Sequence, residues 1–294
     1  MSNILKNNGN IYFAFLAEDS NPNGNPSEDN MPRTSFDNRI QVTDLRLKRD
    51  VRDELIRDGH EVYVSKIFDG KSSLSHKAKH IMAKDRVVKS DQLTEFIDIR
   101  LFGGVFPKAK DKYNLTGPIQ FGFGNSFEQD VEIVETQIIT TFKTSDDKDG
   151  SVGSMGKDYR VNSATIGFHG TISAENAIHT GMTTEDLDSF DDAMEYGMVS
   201  NNSRSKMGRY PLVYMRLEYK DGVRFFSRNL TKFVSQKDGS QDYSELIKYL
   251  TKIENKVKKV YLVYDESYFS ECIEQLKSIF NERLVAKEFF ADSI

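Results

Sequence analysis

The sequence predicts an α+β fold, and three observations carry that reading. Segments rich in β-branched and aromatic residues recur along the chain, at residues 10–18, 131–144, 164–173, 210–219 and 259–265. Between them lie segments with apolar residues at helical spacing, at 44–58, 183–198 and 242–257, and a final one in which Phe269, Cys272, Ile273, Leu276, Ile279 and Phe280 share a face. No internal repeat, low-complexity segment or Pro-rich linker divides the 294 residues, so one elaborated domain is preferred over two.

In chain order, residues 10–18 (NIYFAFLAE) read as a buried first strand. Asn-Pro and Asn-Gly pairs then mark a turn-rich loop. The loop feeds an amphipathic helix over 44–58, with Thr43 placed to cap its first free N–H groups. Leu47, Val51 and Leu55 fall on one stripe, and Lys48, Arg52 and Arg49 fan out beside it. Arg33 lies in the loop. Two readings of this stretch stand: a basic device for phosphates, or a solvated face whose arginines pair locally with Asp50, Asp53 and Glu54.

Residues 60–89 open with a short strand expectation at 61–67 and continue as a lysine-rich surface excursion. His76 and His80 have the spacing of helical metal ligands, but no carboxylate or cysteine joins them, so a solvent-exposed pair is the better reading. A helix is expected from Asp91, ending in DIRLFGGVF, and a glycine-punctuated strand at 115–127. Within it Gly122, Phe123, Gly124 and Phe127 echo the aromatic signature of RNA-recognition strands. Asn125 breaks that pattern, and strand packing is favoured. The glycines at 150, 153 and 156 with Lys157 miss the Walker spacing, because Ser151 and Asp158 stand at required positions. That stretch reads as a hairpin-like excursion returning through 164–173. The six carboxylates of 183–198 read as a solvated helix face. Residues 203–209 (SRSKMGR) form a second basic cluster.

Composition narrows the function classes. With 38% hydrophobic and 29% charged residues the chain is an ordinary, rather polar soluble one, long enough to bury a core. No apolar run approaches the roughly 18 residues that crossing a bilayer takes. The start, MSNILKNNGN, has no apolar signal region, so neither a signal peptide nor membrane attachment is expected. The single cysteine, Cys272, excludes an internal disulfide framework, fits a reducing cytoplasm and is expected to be buried. The net charge of −5 argues against indiscriminate nucleic-acid binding, but it is unevenly spread. Residues 46–89 hold twelve Lys/Arg against seven Asp/Glu, whereas 130–200 hold four against fourteen. Such a chain can present one basic surface while staying acidic overall. HExxH, CxxC, GxSxG and GxGxxG are all absent, and the five scattered histidines offer no evident base–nucleophile pair. The sequence therefore leans towards binding, with no catalytic residue, metal or cofactor expected.

The stretches NPNGNP, NMPR, VTDLRLKRDVRD, DIRLFGG, GPIQFGFGNS, GSMGKDYRV and RSKMGRYPLVYMRLEY occur in this order between about Ile11 and Tyr219. In these the chain resembles the type I CRISPR-associated backbone proteins, the seventh CRISPR-associated family, which are the repeat-associated (RAMP) superfamily subunits of the Cascade filament. It is most similar to the type I-B and I-C branches. The last 75 residues carry no matching motif.

The resemblance implies an RRM-like (ferredoxin-like) palm, with fingers inserted at 60–90, a thumb hairpin at 143–158 and a C-terminal α/β extension at 240–294. It implies copies stacked head-to-tail along one CRISPR guide RNA, a contact that builds an open helix. The thumb would flip out one nucleotide at intervals and leave short segments to pair with target DNA. Other Cascade subunits are expected partners. Guide phosphates would meet Lys48, Arg49 and Arg52 with Thr43 and Arg33 alongside, and Arg204 and Lys206 as a second contact. Met155, Lys157, Tyr159 and Arg160 would lie at the base of the thumb. The alternative is a metal-dependent endoribonuclease of the same superfamily, for which Asp37 is the nearest loop aspartate.

Overall fold

The computed structural model describes residues 3–65, 90–106, 113–139, 155–201, 203–237 and 239–291. Among these the central element is a sheet of nine strands. They are β1 (Gly9–Ser20), β2 (Gln41–Val42), β3 (Ile119–Phe121), β4 (Gly124–Ser126), β5 (Ile133–Ile139), β6 (Met155–Ile172), β7 (Arg209–Tyr219), β8 (Val257–Tyr264) and β9 (Leu284–Glu288). Their order across the sheet is β9-β8-β7-β1-β6-β4-β2, with β3 and β5 also paired to β6. Neighbours run antiparallel except β8 and β9. The larger helices are α1 (Asp44–Arg57), α2 (Ile97–Phe102), α3 (Ala174–Thr180), α4 (Thr184–Ser200), α5 (Ser244–Ile253) and α6 (Glu266–Phe280).

The layering follows from β1. Its alternate residues Ile11, Phe13, Phe15 and Ala17 enter one core with Leu47, Val51 and Leu55 of α1, Leu101 of α2 and Phe190 of α4. The intervening Tyr12, Ala14 and Leu16 enter a second core with Leu246 and Leu250 of α5 and Phe269 and Leu276 of α6. A strand covered on both faces has no need of polar alternation, which is why it reads as one apolar run. Each large side chain buried in this way contributes about 1.5–3 kcal/mol.

Helix α1 is set as its sequence predicts. Thr43 has extended backbone, and its hydroxyl oxygen accepts a hydrogen bond from the Arg46 N–H at 3.3 Å. The Leu47, Val51 and Leu55 stripe is buried. Helix α4 crosses α1 closely at Gly197, where a Cβ would lie 2.7 Å from the Asp50 carbonyl oxygen.

Several expectations need correction. Residues 61–65 form no strand: the N–H groups of Tyr63 and Val64 instead donate to the buried Asp98 carboxylate, at 2.7 and 3.2 Å. The helix expected from Asp91 is two helices, Ser90–Leu93 and α2. Arg100 holds the break between them, its guanidinium donating to the carbonyls of Thr94 and Glu95, both at 2.9 Å. The glycine-punctuated strand is three short strands, Tyr113–Thr116, β3 and β4. Strand β6 begins already at Met155, because β5 pairs with its first seven residues. Helix α5 stops at Ile253 and gives way to a short turn of 3₁₀ helix.

The acidic helix is not a solvated face. Glu185, Asp188 and Asp192 are exposed, but Asp186, Asp191 and Glu195 are buried. Each buried carboxylate meets a cation from a distant segment: Arg100 at 2.6 Å, Arg216 at 2.6 Å and Lys287 at 2.9 Å. Cys272 is half-buried rather than enclosed, and burial pushes its thiol up to about 11. His76, His80, most of the expected fingers (66–89) and most of the expected thumb (143–154) lie outside the described residues. Among the described residues no helix is long and apolar enough to cross a membrane.

Candidate nucleic-acid interface

The loop after β1 is fastened by asparagines. The Asn21 side chain donates to the Asn30 carbonyl at 2.7 Å, and its backbone N–H donates to the Ser205 carbonyl at 2.8 Å. Asn23 Oδ1 accepts from both the backbone N–H and the hydroxyl of Thr43, at 2.8 and 2.9 Å. The loop is thereby tied at one end to the segment before β7 and at the other to the N-terminus of α1. Gly208 permits the approach of that segment. Its φ is +90°, and a Cβ there would lie 2.0 Å from the Glu18 carbonyl oxygen.

Around this junction a charge network is assembled on Asp50 of α1, which is 2% exposed. Arg209 of β7 reaches it at 2.7 Å from 159 residues away. Arg46 pairs with the same carboxylate, its Nε donating at 3.3 Å. Asn201 donates to Asp50 and to Asp53, both at 2.8 Å, and Asp53 also holds Arg49 at 2.5 Å. Lys206 donates its ammonium to the Asn21 carbonyl. Burial, then Arg46 and Arg209, push the Lys206 ammonium down to about 7, with Asp50 opposing. Desolvation and like charges both disfavour the protonated form here, so the positive field is only partly compensated. Next along the surface, Arg160 binds Asp158 at 2.8 Å and the carbonyls of Asp19 and Arg204 at 2.7 and 3.3 Å. Arg204 is largely exposed and lies 3.4 Å from Asp158.

The expected site residues thus fall into two groups. Arg49 and Lys206 lie around Asp50 and Asp53, together with Arg46 and Arg209, which sequence reasoning missed, and Arg160 and Arg204 share Asp158 beside them. Lys48 and Arg52 lie on the opposite flank of α1. Lys48 pairs with Asp44 at 3.0 Å and Arg52 with the buried Asp98 at 2.8 Å, and both sit over the Phe102 ring. The fan of three cations is therefore split, and each member has a carboxylate: Arg49 pairs locally with Asp53, as one of the two readings of this helix has it, whereas Lys48 and Arg52 pair with Asp44 and Asp98.

The remaining residues stand apart. Arg33 holds the loop through its backbone, and among the described residues its Nε is buried with no hydrogen-bond partner. The Thr43 hydroxyl is occupied by its capping and Asn23 bonds. Lys157 is exposed on β6 and pairs with Glu135 across the β5–β6 hairpin at 3.1 Å. Tyr159 is buried beneath it, and Met155 starts β6 opposite Ile139. Asp37 sits on a hairpin tip where both its carboxylate oxygens are engaged, one by the Ser35 hydroxyl and one by Arg39. These bonds, Ser35 first, hold its carboxyl below the usual carboxylate range. No group of three or more potential metal ligands occurs among the described residues.

The described residues thus form a mixed α/β fold with a central, mostly antiparallel sheet and a cation-rich junction where the first loop, α1 and β7 converge. Its family is specific. Residues 7–258 match the family described as CRISPR-associated protein Cas7, and the chain belongs to that family. It is 28% identical over 297 residues to a CRISPR-associated protein Cas7 of Haloferax volcanii, an alignment covering 88% of this chain and 87% of the relative. Among solved structures it is similar in fold to a chain of "CRISPR RNA-guided surveillance complex, pre-nicking", with TM-score 0.56 and 14% identity, covering 87% of this chain and 92% of the other. A chain of a second CRISPR RNA-guided surveillance complex gives TM-score 0.54 and 13% identity, with 87% and 88% covered.

Proposed function

We propose that this chain is the guide-RNA-binding backbone subunit of a type I Cascade complex, in the I-B or I-C branch. Copies associate head-to-tail along the CRISPR RNA and present it to target DNA with the other subunits. The observation that carries the reading is the junction of the first loop, α1 and β7, where Arg46, Lys206 and Arg209 surround the single carboxylate of Asp50. A protein that holds a guide through its sugar-phosphate backbone needs cations placed without base readout, and pairing then supplies specificity.

The finer architecture has support of the same kind. Strand order β7-β1-β6-β4 with α1 and α4 on one face is what an RRM-like palm requires. The second face is covered by α5 and α6, in keeping with an extension at 240–294. The β5–β6 pairing from Val161 and Ile133 out to Met155 and Ile139 supplies a stem for a thumb at 143–158, and fingers would occupy 60–90. Cleavage at Asp37 has less support, since Ser35 and Arg39 occupy that carboxylate, and nothing in the site positively indicates catalysis.

The test is to purify the chain with and without a co-expressed CRISPR array, size the particle and sequence its RNA. A large particle carrying repeat-derived RNA of defined length is expected. A nucleic-acid-free monomer indifferent to the array would overturn the reading, and RNA recovered in evenly spaced fragments would favour the nuclease.

A further inference from the structure

The hairpin tip that carries Asp37 also carries Phe36, whose ring is fully exposed at 102% of its reference area. Leaving such a ring in water forgoes about 1.5–3 kcal/mol of burial. The tip is nevertheless firmly built. The Ser35 N–H donates to the Arg39 carbonyl at 2.9 Å, and Asn38 takes the left-handed conformation with φ 57°. The Arg39 guanidinium donates to the carbonyls of Ser126 and Phe127 at 2.9 and 2.6 Å, as well as to Asp37. Asn38 and Asp130 exchange two further bonds, each 3.0 Å. The tip is thus fastened to the segment after β4, and these bonds fix an apolar ring in solvent.

Beside Phe36 lies a groove of about 440 Å³. Its floor is the Gln41 and Asn125 pair of the β2–β4 ladder, whose carboxamides are joined by a 3.2 Å hydrogen bond. Lys232 closes the far side, is exposed and enters none of the ion pairs among the described residues. An aromatic face for stacking, carboxamides able to bond a base edge and one cation in reach of a phosphate are the elements of an unpaired-base pocket. A purely apolar docking site would have no use for the carboxamides. Asn125, which breaks the aromatic pattern of the β4 strand, has a role on this account.

We propose that the groove between Phe36, Gln41, Asn125 and Lys232 binds one unpaired nucleobase of single-stranded RNA, stacked on Phe36 with its phosphate towards Lys232. The proposal rests on the RNA-binding reading above but names a site outside the Asp50 network. Phe36 is fully exposed, so its substitution leaves the cores intact.

The chain has no tryptophan, so Phe36→Trp introduces a unique fluorophore. The expected result is quenching of the indole by a mixed-sequence RNA oligonucleotide, and much less by the same backbone with abasic sites. Phe36→Ala is expected to weaken binding of intact RNA about tenfold, in the range of one stacked base, with little effect on the abasic oligonucleotide. RNA binding that leaves the indole unquenched overturns the pocket while the guide reading survives. An equal loss on intact and abasic RNA overturns it too, as does normal RNA affinity with arrested growth of larger particles, which would make Phe36 a contact between copies. Quenching by adenosine monophosphate without RNA binding would keep the pocket and remove the guide reading. Absence of both responses removes both.

Discussion

Lys206 gives the most exacting test of the Asp50 network as a phosphate site. In the free protein its ammonium is pushed down to about 7 by burial and by Arg46 and Arg209. The groups that act on it are Arg46 and Asp50 of α1, Arg209 on its own segment and the Asn21 carbonyl. They are two guanidiniums, a carboxylate and a carbonyl, with no imidazole or thiol among them. A phosphodiester at ion-pair distance raises a neighbouring cation's pKa by roughly one to three units. The bound form therefore holds more protons than the free form. The advantage is fully present below pH 7, the free value, and is lost as pH rises through the bound value, near 9 for a two-unit rise. At about 1.4 kcal/mol per unit, that is a fall in RNA affinity of up to ~100-fold from well below pH 7 to well above pH 9. Anisotropy of a labelled RNA at constant salt measures it. Lys206→Met is expected to flatten the profile without lowering stability, because a poorly compensated buried ammonium is exchanged for an apolar chain of similar length. An equal slope in wild type and Lys206→Met, or an affinity that rises with pH, would refute the reasoning.

Three further outcomes concern the frame that holds the site. Arg216→Met leaves Asp191 buried on the sheet-facing side of α4 with, among the described residues, the Tyr214 hydroxyl as its one side-chain donor, so a loss of about 3–5 kcal/mol is expected in urea unfolding, and a loss under 1 kcal/mol would contradict the assignment. Thr43→Ala removes the α1 cap and is expected to cost about 1 kcal/mol, with Thr43→Ser restoring most of it. Burial pushes His169 down to about 4, and its Nδ1 accepts from the Leu230 N–H at 3.2 Å. The unfolded chain therefore binds the extra proton first, and stability is expected to fall as pH drops from about 6.5 towards 4. Because the ring is partly exposed we expect about 1–2 kcal/mol rather than the full shift. His169→Asn, which can keep the acceptor without the titration, should flatten that part of the curve.

The sequence made α1 legible because everything that defines it is local. Thr43 lies three residues from the N–H it caps, and Leu47, Val51 and Leu55 repeat at helical spacing. The buried half of α4 was illegible for the opposite reason. Asp186, Asp191 and Glu195 are paired with Arg100, Arg216 and Lys287, which are 86, 25 and 92 positions away, so a helix period alone marks them as solvent-facing. The 61–67 strand failed similarly over its described part, 61–65: Tyr63 and Val64 have strand propensity, but the side chain of Asp98, 34 or 35 positions away, takes up their backbone donors. In the candidate site, the SRSKMGR cluster marked Lys206 as a cation ahead of a strand, and the fold brings it to the first loop at the Asn21 carbonyl. Arg46 escaped notice because an arginine four residues before an aspartate looks like an ordinary surface pair, and only the fold brings Arg209 to the same carboxylate.

This arrangement changes what a charge deletion in α1 can mean. Arg52 neutralises Asp98, which is 0% exposed and also anchors residues 63–64, so removing Arg52 strands a buried carboxylate and disturbs the approach to the expected fingers. Lys48 is itself buried against Phe102, and its loss removes packing as well as charge. On that flank two cations meet two carboxylates, and little field remains for a guide. On the other flank Arg46, Arg49, Arg160, Arg204, Lys206 and Arg209 share Asp50, Asp53 and Asp158, which leaves an excess of positive charge where the loop, α1 and β7 converge. A polyanion gains from that excess without displacing every internal partner, whereas on the Lys48 side it would have to compete with buried carboxylates for each contact. Loss of RNA binding after Arg204→Ala, whose side chain is 62% exposed, therefore reports on the interface, while the same loss after Arg52→Ala reports first on the fold.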